Sequence, residues 1–313
     1  MTISLQDAAA RIRAGELVAF PTETVYGLGA NALDASAVEK IYAAKGRPAT
    51  SPLIVHVSSV YMACTLVTEW PPEAEALAQS FWPGPLTLVL PKKQSVPDIV
   101  TAGLPTVGVR MPDHPLALAL IRAAGVPIAA PSANRFTGLS PTTAEHVREI
   151  FGDAIPVLDG GPCCVGIEST VVSIVEGKIV LLRPGHVSLS AIAETIGRTP
   201  EEIGQAAEPS AGAAHAAPGM HERHYSPRTP LVLTSDPDPR GAWLCLTQPI
   251  RTRSASAARV IQMPSDPEGY AARLYGALHE LDREGWPVIS VEPPPNTLEW
   301  AAILDRLKRA AAL

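Results

Sequence analysis

The sequence predicts an α/β protein of two domains, and three observations support that prediction. Short apolar runs alternate with stretches of helical periodicity in both halves of the chain, as is typical of α/β or mixed α+β folds. The length of 313 residues exceeds what one hydrophobic core usually supports. The segment 204–228 is rich in alanine, glycine and proline and lacks apolar periodicity for most of its length, so it is interpreted as a linker.

These features divide the chain into three segments. We predict an α/β domain over 1–203, a linker or lid over 204–228, and a small α/β domain over 229–313. The end of the linker carries Arg223, His224 and Tyr225, with His221 just before them, and such a set is unusual in a passive spacer. We therefore expect this end of the linker to fold over a site in the first domain.

The first domain should begin with a helix that Ser4 caps, with Asp7 three residues later, and that Gly15 ends. Helical periodicity predicts further helices near 35–46, 72–82, 114–124, 142–151 and 189–197, and Thr142 with Glu145 forms a second capping box. Apolar and β-branched runs predict strands at 17–20, 52–57, 86–90, 106–111, 126–130, 155–159, 169–175 and 178–183.

The second domain repeats the same alternation on a smaller scale. Strands are predicted at 230–235, 242–247, 258–263 and 287–292, with helices near 266–284 and 297–312.

Composition excludes several broad classes. The formal net charge of −6 provides no general attraction for nucleic acid, so any anion site must be a local cluster of cations. The four cysteines form no CxxC pair, which argues against a zinc ribbon and favours reduced thiols in the cytoplasm. The N-terminus is typical of a helix rather than a signal peptide, and no apolar run is long enough to cross a membrane.

Cations recur where predicted elements end. Lys45 and Arg47 follow a helix, whereas Arg110 and Arg183 each end an apolar strand. Cations at a helix C-terminus can simply complement its dipole, but a strand-end arginine is a costly core residue and a good two-pronged anion ligand. The repeated placement favours a phosphate site.

Loops rich in hydroxyl and amide groups follow neighbouring strands. Thr24, Ser132, Asn134, Ser140 and Ser169 lie in such loops, where their donors suit phosphate or ribose oxygens. A histidine inside a strand, such as His56, is by itself more often a core residue than a ligand. The sequence has no P-loop, no dinucleotide-binding fingerprint and no covalent nucleophile motif, so the site is expected to act by positioning and charge stabilisation.

Taken together, eight motifs in order resemble the YrdC-like L-threonylcarbamoyladenylate synthase family in its long two-domain form. They are FPTETVYGLGANA, KGRP followed by SPLIVHV, FWPGPLTLVL, VTAGLPTVGVRMPDHP, VPIAAPSAN followed by SPT, GIESTVV, LLRPG and RHYSP. The resemblance is close over about 4–228 and weaker over 230–313. It implies a YrdC-like twisted, open mixed sheet with helices, followed by a small Rossmann-like domain.

The resemblance also implies an activity and a set of site residues. Such enzymes combine L-threonine, bicarbonate and ATP with Mg²⁺, release pyrophosphate, and supply threonylcarbamoyl-AMP to a separate complex that modifies tRNA. The family signature K-x-R…S-x-N falls on Lys45, Arg47, Ser132 and Asn134 and marks the catalytic set. The threonine ligands should be Thr24, His56, Arg110, the Ala130 backbone and Ser169, and the ATP ligands should be Arg47, Ser51, Thr106, Ser132, Ser140, Arg183 and Tyr225.

Two other readings of the sequence remain open. YrdC-like domains also occur in carbamoyltransferases, but those proteins usually carry zinc or catalytic modules for which this chain has little room. An RNA-binding module is the second alternative; the net charge of −6 and the four phenylalanines argue against a large electrostatic or stacking platform, although a weak tRNA contact is compatible with them.

Overall fold

Residues 1–206, 223–246 and 257–312 are described by a computed structural model, and within them the first domain is organised around a mixed sheet of nine strands. Its strands are β1 (Val18–Phe20), β2 (Gly27–Asn31), β3 (Ile54–His56), β4 (Leu86–Pro91), β5 (Thr106–Arg110), β6 (Ile128–Ala129), β7 (Thr170–Val175), β8 (Lys178–Arg183) and β9 (Gly204–Gln205). The spatial order is β1-β2-β6-β3-β5-β4-β7-β8-β9. Parallel pairs such as β3 with β5 and antiparallel pairs such as β4 with β5 occur in the same sheet.

Helices pack on this sheet through small and aliphatic side chains. They are α1 (Leu5–Arg13), α2 (Ala35–Lys45), α3 (Val60–Cys64), α4 (Pro72–Phe81), α5 (Pro115–Ala124), α6 (Ala144–Phe151) and α7 (Leu189–Thr195). Ser4 accepts a hydrogen bond from the amide of Asp7 and so caps α1, as predicted, and Gly15 lies just beyond its end with φ +71°.

The second domain is a parallel sheet of four strands with two long helices. The strands are β10 (Leu231–Leu233), β11 (Ala242–Cys245), β12 (Arg259–Gln262) and β13 (Ile289–Val291), in the order β10-β13-β11-β12. The helices are α8 (Pro267–Glu284) and α9 (Ala301–Ala311). This confirms the predicted class of a mixed α/β domain followed by a smaller α/β domain.

The two domains share an apolar core. Val25, Leu139 and Ile167 of the first domain pack in the same buried cluster as Tyr275 and the rest of the second-domain core. This shared core fixes α8 and α9 against the loops that follow the strands of the first domain. Among the described residues, no helix is both long and apolar enough to cross a membrane.

Some predicted elements differ from the structure. The turn after β1 continues into β2, which was not predicted because its glycines lack β propensity; a Cβ on Gly29 would lie 2.7 Å from the Phe20 ring. The predicted strand 155–159 is wrong, since only Val157 forms isolated bridges. Thr143, rather than Thr142, caps α6 by accepting from the amide of His146.

Candidate functional site

One cavity opens where the loops after several strands of the first domain meet the end of the linker. β1, β3, β5, β6 and β8 all contribute residues to it, either directly or through the loops that follow them. Its walls are formed by Thr22, Thr24, Val25, Gly27, Arg47, Ile54, His56, Arg110, Ala130, Pro131, Ser132, Glu168, Ser169, Arg183, His224 and Tyr225. Three arginines therefore line one cavity, which favours anionic ligands.

Arg47 is held beside the cavity by its own loop. Gly46 ends α2 with φ +63°, and this left-handed turn reverses the chain so that Arg47 points inward. The Arg47 Nη2 donates to Ser51 Oγ at 2.6 Å and to the Pro52 carbonyl at 2.9 Å, whereas its Nε has no hydrogen-bond partner among the described residues. Burial lowers the pKa of Arg47 to about 10, so the guanidinium is charged at neutral pH and keeps a donor for a ligand.

The four residues of the K-x-R…S-x-N signature separate into two pairs. Arg47 and Ser132 line the cavity, but Lys45 and Asn134 do not. The Lys45 ammonium donates to the carbonyls of Ser132 and Asn134, each at 2.6 Å, and Asn134 Nδ2 donates to the Gly138 carbonyl at 2.8 Å. Burial holds the pKa of Lys45 well below its usual value. Lys45 and Asn134 thus brace the loop that presents Ser132, and they lie behind the cavity wall.

The five residues predicted to hold threonine all line the cavity. Arg110 donates from Nη1 to Thr24 Oγ1 at 3.1 Å and pairs through Nη2 with the Glu23 carboxylate at 2.6 Å. The amide of Ala130 is already donated to the Ile54 carbonyl, so only its own carbonyl is available to accept from an amine. Burial, reinforced by the charge of Arg110, lowers the pKa of His56 to about 3; the ring is therefore neutral at physiological pH, and its Nδ1 has no partner among the described residues.

The residues predicted to hold ATP are only partly brought together. Arg47, Ser132, Arg183 and Tyr225 line the cavity. Ser51 and Ser140 lie one step behind it, since Ser51 accepts from Arg47 and Ser140 donates to Glu168 Oε1 at 2.5 Å. Thr106 lies in a small neighbouring cavity that shares Ile54 with the main one.

Arg183 holds Ser169 in place within the cavity wall. Its Nε and Nη2 donate to the carbonyl of Ser169 at 3.2 and 2.9 Å, and Nη2 also lies 3.2 Å from Ser169 Oγ. The Ser169 hydroxyl is further hydrogen-bonded to Thr87 Oγ1 at 2.8 Å. A residue predicted for threonine and one predicted for ATP are therefore in direct contact, which places the two expected subsites side by side.

Tyr225 lines the cavity and lies between the two domains. It is 1% exposed, has φ +60°, and its hydroxyl lacks a hydrogen-bond partner among the described residues. The flanking amides fix this left-handed conformation: His224 donates to the carbonyl of Arg309 in α9, and Ser226 donates to the carbonyl of Thr137 in the first domain. Such a conformation costs a non-glycine residue on the order of 1–2 kcal/mol, so it persists because both domains hold it. His221, predicted to belong to the same cover, lies outside the described residues.

Glu168 and its two partners from the second domain were not predicted from the sequence to be part of this site. Glu168 is part of the cavity wall, and its carboxylate receives Tyr275 from α8 and Arg306 from α9. In the sequence, Glu168 lies in the motif GIESTVV directly before the predicted strand 169–175, and Arg306 is similar to a surface charge of an amphipathic helix. One signal could have found it: Arg306 lies on the same helical face as the apolar Ile303, Leu307 and Ala310.

The cavity does not contain a set of metal ligands. Among the residues that the structure describes, no three histidine, cysteine, aspartate or glutamate side chains cluster so as to hold a metal ion. Glu23 is ion-paired with Arg110 through Oε1, and Glu168 is ion-paired with Arg306, so each carboxylate already has a cationic partner. The residues present therefore do not fit a metal ion held by the protein itself.

Comparison with known proteins gives matches over almost the whole chain. A family profile described as "Telomere recombination" (Sua5/YciO/YrdC) matches residues 10–185, and one described as "Threonylcarbamoyl-AMP synthase, C-terminal domain" matches 187–312. Proteins named threonylcarbamoyl-AMP synthase match from Pyrococcus abyssi, with 43% identity over 97% of this chain and 93% of the relative, and from Bacillus subtilis, with 42% identity over 98% and 92%. The crystal structure of P. abyssi Sua5 complexed with L-threonine superposes with a TM-score of 0.89 at 43% identity, covering 98% of this chain and 94% of the other.

Proposed function

Since the chain belongs to the threonylcarbamoyl-AMP synthase family and is an enzyme of that kind, we propose that it joins L-threonine, bicarbonate and ATP into threonylcarbamoyl-AMP with release of pyrophosphate. The observation that carries this proposal is the convergence of Arg47, Arg110 and Arg183 on one cavity that also presents hydroxyls and a neutral histidine. A zwitterionic amino acid and a polyphosphate both need such a set of donors.

The proposed reaction needs no covalent enzyme intermediate. The threonine amine attacks the carbon of bicarbonate or CO₂ and gives a carbamate, with loss of water when bicarbonate is used. A carbamate oxygen then attacks the α-phosphorus of ATP, and the bond to pyrophosphate breaks. Both reactants are anions in this second step, so the principal task of the protein is to hold them together and to offset their charge.

The residues that line the cavity can be assigned to the two reactants separately. We assign Arg110 to the threonine carboxylate; the Ala130 carbonyl and His56 are assigned to the amine, since both line the cavity and a neutral His56 can accept a hydrogen bond. We assign Arg47, Arg183 and Ser132 to the phosphates and Tyr225 to the nucleotide, because all four line the same cavity. A covered site also excludes water from an adenylate that hydrolyses readily.

Magnesium would enter this reaction with ATP. Because the carboxylates near the cavity are already paired with arginines, we propose that the phosphates of ATP, rather than protein side chains, supply most of its ligands. We further propose that a separate transferase complex passes the threonylcarbamoyl group to tRNA in the cytoplasm; the four cysteines are free thiols, which agrees with a reducing compartment.

One assay tests the proposal directly. Pyrophosphate release from MgATP should require both L-threonine and bicarbonate, and the product should contain the carbon of labelled bicarbonate. Arg47→Ala should lose most of this activity, whereas Lys308→Met, an exposed charge in α9, should retain it. Pyrophosphate release that proceeds without threonine or without bicarbonate contradicts the proposal.

A further inference from the structure

A carboxylate in the wall of an anion site needs an explanation. Glu168 lines the same cavity as Arg47 and Arg183, and its side chain is buried. Oxygens of ATP phosphates bound there would meet a like charge, which weakens binding unless a cation compensates.

The compensating cation comes from the second domain. Arg306 in α9 donates from Nε to Glu168 Oε2 at 3.1 Å, and Tyr275 in α8 donates to the same oxygen at 3.0 Å. Arg306 is 1% exposed although it is an arginine. Its Nη1 donates to the Pro184 carbonyl at 2.8 Å and to Asp305 Oδ2 at 2.9 Å, and its Nη2 donates to the Glu168 carbonyl at 3.3 Å. The guanidinium therefore holds both the charge and the backbone of the segment that precedes Ser169.

The same guanidinium also contacts Tyr225, which lines the cavity. The Arg306 Cζ lies 5.3 Å from the centre of the Tyr225 ring, and the ring of Tyr275 lies 5.9 Å from that of Tyr225. A guanidinium at this distance from an aromatic ring is attracted to it. Arg306 thus contacts both Glu168 and Tyr225, which line the same cavity.

We propose that Arg306 is a positioning residue for the nucleotide: from the second domain it neutralises Glu168 and holds Tyr225 in place, so that the first domain can bind the phosphates of ATP. The inference deepens the proposed function and rests on it for the identity of the ligand. It assigns the second domain an electrostatic role in the site, in addition to its packing on the first domain.

Charge neutralisation and simple packing predict different results in a double-mutant cycle. If Arg306 acts by neutralising Glu168, the loss caused by Arg306→Met should be much smaller when Glu168→Gln has already removed the negative charge. If Arg306 only fills space between the domains, the loss should be the same in both backgrounds, because Gln has nearly the same shape as Glu.

The experiment measures the Kd of MgATP and of L-threonine by calorimetry for the full-length chain and its variants. We expect Arg306→Met to raise the Kd of MgATP at least tenfold, and Glu168→Gln in the same chain to recover at least threefold of that loss. The Kd of L-threonine, which carries no net charge, should change less. Lys308→Met is the matched control, since it removes an exposed cation from the same helix and should leave both Kd values unchanged.

Removing one partner of a buried ion pair can prevent folding, so a second variant is needed. Arg306→Lys keeps the positive charge and loses the planar, two-pronged guanidinium. The Kd of this variant for MgATP should stay within threefold of the wild-type value. Equal losses from Arg306→Met in both backgrounds, a wild-type Kd in Arg306→Met, or a tenfold loss in a folded Arg306→Lys protein would each overturn the inference.

Failure of the inference and failure of the proposed function can be told apart. A wild-type chain that binds MgATP but releases no pyrophosphate with threonine and bicarbonate contradicts the proposed function, and the binding cycle still tests Arg306. A chain that makes the product while the cycle is additive contradicts the inference alone. A chain that does not bind MgATP contradicts both.

Discussion

Replacing Tyr225 by phenylalanine should make the free protein more stable and its use of ATP weaker. The Tyr225 hydroxyl is buried without a hydrogen-bond partner among the described residues, whereas the ring packs on Arg306 and Tyr275. Leaving such a polar group unsatisfied costs about 1–3 kcal/mol, and Tyr225→Phe removes this cost while keeping the ring. In a protein of 313 residues, 1 kcal/mol changes the Tm by about 1.5 °C, so we expect a Tm higher by about 2–4 °C without nucleotide.

The expected loss of ATP use follows from the same hydroxyl. Burial raises the pKa of Tyr225, so the hydroxyl keeps its proton and can donate to a nucleotide in the cavity. One such hydrogen bond is worth about 0.5–1.5 kcal/mol, which corresponds to a KM for ATP roughly two- to tenfold higher in the variant. Calorimetric unfolding without ligand gives the first quantity, and initial rates of pyrophosphate release at varied ATP give the second.

Tyr270 provides the matched control for this experiment. Its hydroxyl is also buried without a partner among the described residues, but the side chain belongs to the second-domain core and does not line the cavity. Tyr270→Phe should therefore raise the Tm by a similar amount and leave the KM for ATP unchanged. A Tyr225→Phe protein with a lower Tm and a wild-type KM would refute the reasoning, because the hydroxyl would then have an internal partner and no role with ATP.

Three further results are expected. Arg47→Ala should lower kcat/KM for ATP by well over tenfold, since loss of a desolvated charge contact costs roughly 2–5 kcal/mol, and wild-type kinetics at sub-saturating ATP would remove Arg47 from the site. Threonine should be strongly preferred over valine, and less strongly over serine, which lacks a methyl group worth about 1–3 kcal/mol; equal kcat/KM for threonine and valine would contradict a polar pocket. Burial lowers the pKa of His146 to about 3 and that of His279 to about 4, so their stabilising contribution is complete above about pH 6.5 and is lost as the pH falls towards 4. The free energy of unfolding, measured by urea titration, should therefore fall less steeply between about pH 6.5 and 5 in His279→Gln than in the wild type, by up to about 1.4 kcal/mol per pH unit. An unchanged slope would be inconsistent with this assignment.

The class of fold and the strand-end cations could be predicted from local patterns. Arg110 and Arg183 each end an apolar strand, and in the structure these two strands belong to one sheet and direct both guanidinium groups into one cavity. Apolar periodicity and the position of each arginine in the sequence were sufficient to predict this, because the direction of a strand's last side chain is fixed once the sheet has formed. β2 was missed for a packing reason: its glycines accommodate the Phe20 ring, a contact that no local propensity records.

The division of labour among the polar residues could not be predicted in the same way. Lys45 and Arg47 are two positions apart, yet Lys45 bonds to backbone carbonyls behind the cavity and Arg47 faces it. This difference depends on the left-handed turn at Gly46 and on where the Ser132 loop lies in space. Arg306 was missed because its partner Glu168 is 138 residues away and in another domain. A charge on the apolar face of a helix signals a buried partner, but sequence alone does not say which one.

Three buried polar atoms without partners lead to the same cavity. The Nε of Arg47, the Nδ1 of His56 and the hydroxyl of Tyr225 each lack a hydrogen bond among the described residues, and all three side chains line the cavity. Folded proteins rarely leave such atoms unsatisfied, because each costs about 1–3 kcal/mol. Arg47 lies in the loop after α2, His56 lies in β3, and Tyr225 lies beside the second domain. The three side chains come from separate parts of the chain, so no single local defect explains the missing hydrogen bonds. A ligand that accepts hydrogen bonds from Arg47 and Tyr225 and contacts His56 would satisfy all three atoms at once. The free-energy cost of removing these atoms from water is then already present in the unliganded protein and does not have to be met on binding.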